Sequence, residues 1–139
     1  MMKILAFDLG TVSAYVVANQ KQDYVDFDWW SNYKIETPLL DLKERTERAL
    51  QRHHPNVILV PYPTRFYNVI IKHSKMIGII ELLGEEYSTT VLEVNDAQCK
   101  KVVLGSGKSK KADIMNYFKE KNEHLADCKM FIEWYFKSI

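Results

Sequence analysis

Apolar and polar positions along the chain alternate between two periods. Residues 3–9 form a nearly unbroken apolar run that Asp8 interrupts, and Gly10 turns it into a second apolar run over 12–19. This pattern predicts a buried strand, a tight turn and an antiparallel partner. The stretch from Tyr24 to Trp30 alternates and is rich in aromatics, which predicts a third strand with Asp26 and Asp28 on its solvated polar face. Thr37-Pro38 has the form of a helix start, with Thr as N-cap and Pro at the first helical position. The helix runs to about His53 with Leu39, Leu42, Ala49 and Leu50 on one face, and His53-His54 supply favourable charge at its C-terminal end.

Residues 57–60 read as a short central strand parallel to the first, stopped by Pro61 and Pro63. A long helix is expected from about Val69 to Leu83, ending at Gly84. Its apolar positions, among them Val69, Ile70, Met76, Ile77, Ile79, Ile80 and Leu83, occupy more than one stripe, which predicts a helix either deeply buried or shared with a second subunit, and a homodimer across it is expected. A fifth strand over 89–94 leads to a helix opened by Asn95 with Gln98 and closed by Gly105. A flexible basic loop, 105–111, and two helices, about 110–120 and 124–137, complete an α/β pattern.

The 139 residues suit one domain, and 47% apolar with 27% charged residues is ordinary for a soluble globular chain. A net charge of +1 confines any nucleic-acid role to a local patch. Cys99 and Cys128 lack metal-type spacing and read as reduced thiols, pointing to a cytoplasmic protein. The chain shows no membrane-length apolar run, no signal-peptide pattern and no internal repeat.

Three groups of residues carry candidate chemistry. A carboxylate at Asp8, among Ile4, Leu5, Phe7 and Leu9, needs a cation for a partner or the turn amides of a strand end. His124 and Asp127 stand three apart on the last helix, so both face one way and can share a metal ion. Leu125, Met130, Phe131 and Trp134 would press that helix onto the sheet. Leu104 to Ser109 resembles a phosphate loop, but the motif needs Gly where Val102 stands, and the loop follows a helix. It therefore argues against a nucleotide cofactor, while its amides and lysines suit a DNA phosphate. Arg65, Phe66 and Tyr67 with Lys72 offer aromatics beside cations, suited either to stacked bases or to a core.

Taken in order, these segments resemble the RuvC-type Holliday junction resolvases, which have the RNase H-like fold. The opening Ile-Leu-Ala-Phe-Asp8-Leu-Gly is similar to their first strand, and residues 70–78 resemble their dimer-interface helix. Residues 91–111 carry the most specific match, a strand, a helix, a Gly-x-Gly loop and then lysine. His124-Leu-Ala-Asp127 resembles the closing acidic motif, whose first position is Asp or His.

The resemblance implies an RNase H-like five-stranded mixed sheet flanked by helices. It also implies a homodimeric endonuclease that resolves four-way DNA junctions with Mg²⁺ or Mn²⁺. Asp8, His124 and Asp127 would be metal ligands. Lys111 would be catalytic beside the scissile phosphate, and Arg65, Phe66, Tyr67, Lys72, Lys100, Lys108, Lys110 and Lys111 would contact DNA. The family also places a catalytic glutamate at the end of the fourth strand, where this chain reads Val60-Pro61-Tyr62. The departure leaves a junction-binding protein that cuts weakly or not at all as the alternative. An actin-like nucleotide-binding fragment, suggested by residues 7–11, lacks that group's second domain and second Asp-x-Gly loop.

Overall fold

The computed structural model describes residues 2–62 and 67–139; Arg65 and Phe66 lie outside the described residues, as does the side chain of Tyr67. Five strands, β1 (Ile4–Asp8), β2 (Val12–Gln20), β3 (Asp23–Ser31), β4 (Val57–Pro61) and β5 (Thr90–Val94), form one mixed sheet in the order β3-β2-β1-β4-β5. β1 pairs antiparallel with β2 and parallel with β4, which itself runs parallel to β5. Asp8 thus stands at the end of the central strand.

Five helices cover the two faces: α1 (Pro38–His53), α2 (Tyr67–Glu86), α3 (Asp96–Leu104), α4 (Lys111–Phe118) and α5 (Glu123–Ser138). Alternation along the strands sorts the core into two. Leu5, Phe7, Tyr15, Val17, Ile58 and Val60 pack with α1 and α2, while Ile4, Ala6, Ala14, Val16 and Leu59 pack with α3, α4 and α5. α5 lies across β1 and β2 with Leu125, Met130 and Phe131 buried, as their spacing predicts. Among the described residues no helix is long and apolar enough to cross a membrane.

Two expectations are corrected. Asp26 and Asp28 are not simply solvated: β3 turns them toward α1, where Asp28, its side chain still 44% exposed, meets Arg45 at 2.7 Å and Asp26 meets His53 at 2.8 Å. The face of β3 left open is the apolar one, with Phe27 62% and Trp29 53% exposed. Alternation reveals two faces but not which one a helix covers. Gly84, in turn, does not end α2, which continues to Glu86. A Cβ at Gly84 would stand 2.5 Å from Val91 Cγ2 and 3.0 Å from the Thr89 carbonyl, so the glycine lets α2 close on the β5 edge.

On the far side of α2, Ile71, Lys75, Gly78 and Leu82 form an exposed ridge, and a Cβ at Gly78 would meet nothing within 4 Å. The helix is apolar on both flanks, as its composition indicates.

Candidate metal and nucleic-acid site

The last helix begins beside the end of β1. Asn122 caps it, its side chain accepting hydrogen bonds from the His124 and Leu125 amides at 2.9 and 3.0 Å. This fixes the first turn and aims His124 at the sheet. His124 Nδ1 lies 2.8 Å from Asp8 Oδ2, and Nε2 lies 3.3 Å from Glu123 Oε1. Residues 116 positions apart in sequence thus form one pair. Asp127, one turn further on, shares the burial and the field of Asp8.

Electrostatics show a site short of positive charge. Burial lifts the Asp8 carboxyl above its usual range; the hydrogen bond and charge of His124 oppose this, and the charge of Asp96 adds to it. Asp127 is pushed up to about 7, first by burial and then by the charges of Asp8 and Asp96. The hydrogen bond to Asp8 raises the His124 pKa, partly offset by burial. Two carboxylates and an imidazole are a donor set suited to a hard or borderline divalent cation. The set fits such an ion by chemistry and by charge. Among the described residues no three acidic, histidine or cysteine side chains are drawn tightly enough to hold one, and His124 Nδ1 is engaged with Asp8. A cation bound here would replace that hydrogen bond.

Sequence reading missed two neighbours. Asp96, the first residue of α3, acts electrostatically on both Asp8 and Asp127 and pairs with Lys100 at 2.7 Å. Lys100 in turn favours the ionised form of Asp127. His73, on α2, stands across the β1–β2 turn and feels the charge of Asp8. The helix-opening Asn95-Asp96 could have signalled an acid at a strand end. Nothing in the spacing of His73 does so.

The basic loop reaches the same end of the sheet. Gly105 ends α3 with φ +91°, a backbone that favours glycine. A Cβ at Gly107 would lie 3.2 Å from the Ala97 carbonyl, so the loop folds back on the first turn of α3, next to Asp96. Lys108, Lys110 and Lys111 are exposed along it, with Lys111 3.3 Å from Glu123. Lys72 is exposed on α2. On the fourth strand, Pro61 follows Val57 and Leu59 on the face that carries Asp8, while Val60 points to the α1–α2 core. Glu81 lies in a groove with Gly84, Val91 and Glu93 beside the β5 edge. Cys99 and Cys128 are free and buried.

No protein-family model and no curated protein sequence matches the chain. Solved structures do. Thermus thermophilus RuvC superposes with a TM-score of 0.80 at 16% identity over 99% of this chain and 96% of that one. The fowlpox virus resolvase, solved with its substrate Holliday junction DNA, gives 0.60 at 17% identity over 99% and 98%. The yeast mitochondrial Holliday junction resolvase gives 0.62 at 12% identity, covering 96% of this chain and 78% of that one. At these identities the likeness is one of fold, an RNase H-like α/β arrangement built in this chain, among the described residues, from five strands and five helices.

Proposed function

We propose that this chain, built on the RuvC-type resolvase fold, is a divalent-metal-dependent endonuclease that recognises and cuts four-way DNA junctions. The observation that supports the reading is the pairing of His124 with Asp8 at the end of the central strand, with Asp127 one turn further along α5, on a fold shared with junction resolvases over nearly the whole chain. Asp8, Asp127 and His124 would hold Mg²⁺ or Mn²⁺. Such ions, when bound, activate a water and stabilise the leaving oxygen in phosphodiester hydrolysis. The chain's own residues do the rest. Lys111, with Lys100, Lys108 and Lys110, holds backbone phosphates and neutralises charge near the scissile bond. Asn122 fixes the first turn of α5, so that His124 and Asp127 face Asp8.

The ridge of Ile71, Lys75, Gly78 and Leu82 supports a homodimer across α2, with the open space at Gly78 allowing close helix approach. A two-fold dimer matches the two symmetric cuts that a four-way junction requires.

The end of β4 favours a second reading. Pro61 occupies the same face as Asp8 where a carboxylate would complete the donor set. Asp8 and Asp127 provide two negative charges at most, which weakens Mg²⁺ binding, while the imidazole favours Mn²⁺. Cutting is therefore weak or Mn²⁺-preferring, and in the limit the chain binds junctions without cutting them. The test is cleavage of an end-labelled four-way junction in Mg²⁺ and in Mn²⁺. Symmetric nicks in Mn²⁺ that vanish in Asp8→Asn are expected. Selective junction binding without nicks in either metal would leave the binding reading, and equal affinity for linear duplex would refute both.

A further inference from the structure

On the side of the sheet end opposite α5, the β1–β2 turn, the 3-10 turn Asn32–Lys34 and the starts of α1 and α2 enclose a cavity of about 350 Å³. Leu39 and Met76 give it an apolar floor. The Tyr33 ring stands at its rim, 72% exposed, with Lys34 Nζ 6.0 Å from the ring centroid. Lys72 enters from α2, and among the described residues no carboxylate lines it. An apolar slot with an aromatic rim and cations matches a flat uncharged aromatic joined to an anion, which is a nucleobase on its phosphate.

The cavity adjoins the acidic site. Gly10 forms its wall two residues after Asp8, and a Cβ there would stand 3.5 Å from His73 Nε2. His73 and Gly10 thus form the partition between the two. A strand that lays one phosphate at Asp8 carries a neighbouring nucleotide to this opening. We propose that the cavity takes one unstacked base of the bound strand, with Tyr33 against the base and Lys72 on its phosphate. The proposal rests on the nucleic-acid reading above. Branched DNA supplies unstacked bases at its exchange point, where the cost of removing a base from the helix is least.

The test is a binding cycle between protein and DNA, run in EDTA so that nothing is cut. Junctions lacking one base at each exchange-point position in turn are titrated with the unmodified chain, Tyr33→Ala and Tyr33→Phe. At one position, loss of the base should weaken binding to the unmodified chain about tenfold, the scale of one base stacked on an aromatic ring. Tyr33→Ala should bind the intact junction about tenfold more weakly and lose nothing further when that base is absent. Tyr33→Phe should behave as the unmodified chain. Independent losses at every position, with the junction still bound, would overturn the pocket and leave the nuclease reading intact. A coupled position in a chain that never cuts in Mn²⁺ would keep the pocket and refute the nuclease reading. Absence of junction binding would overturn both.

Discussion

Replacing Asp127 with Asn should stabilise the metal-free protein, increasingly so as the pH rises. In the folded chain Asp127 has its carboxyl raised from 3.8 to about 7 by burial and by the charges of Asp8 and Asp96. A pKa raised on folding contributes stability that is fully present below the unfolded value and is lost as pH climbs through the folded one. At about 1.4 kcal/mol per pH unit, the loss between the two values comes to about 4 kcal/mol. The Asp127 contribution to wild-type stability should therefore be lost steadily from about pH 4 to about pH 7 and be gone above that. Asp127→Asn removes this contribution to the slope, so its advantage grows across the same window. Urea unfolding at stepped pH, in EDTA, measures it. Added Mn²⁺ should recover stability for the wild type at alkaline pH and do little for the variant, because only the carboxylate gains from a cation. Parallel pH–stability curves for the two proteins would refute the reasoning.

Other substitutions probe other parts of the structure. Pro61→Glu puts a carboxylate on the Asp8 face and should raise Mg²⁺-dependent junction cutting about tenfold or more; a gain from Val60→Glu instead would refute the face assignment. Gly84→Ala should destabilise by about 1–3 kcal/mol through the clash with Val91 and Thr89, read by denaturant midpoint. Gly78→Ala, with open space around it, should stabilise the monomer by about 0.5–1 kcal/mol and weaken self-association measured by sedimentation. Lys108→Ala and Lys111→Ala should each weaken binding to all DNA shapes alike and reduce the slope of log affinity against log salt by about 1; an effect on junctions alone would argue against phosphate contacts.

Much of this architecture is legible in the chain because local rules and the fold agree. Thr37-Pro38 opens α1, Asn95 with Gln98 opens α3, and Gly105 closes it, each where sequence places it. The pairing of Asp8 with His124 is legible only through the family resemblance, since no periodicity links residues so distant. What local pattern misses depends on three-dimensional context. Gly84 reads as a helix end because glycine commonly serves there, but the approach of β5 is what requires it. The β3 aspartates read as solvated because polar faces usually are, yet Arg45 and His53 on α1 hold them. His73 and Asp96 gain meaning only from the turn and strand end they face.

The inverted β3 has a consequence for how the protein behaves at high concentration. It is an edge strand, so one side of its backbone is unpaired in the sheet, and Phe27 and Trp29 lie open on one face. Edge strands usually guard against strand addition with outward charges, but Asp26 and Asp28 are paired with His53 and Arg45 of α1. Concentrated protein therefore has a second route to self-association, edge to edge, separate from the α2 ridge. Phe27→Lys would block that route and leave the helix ridge untouched, which makes it the background of choice for measuring whether a true dimer forms.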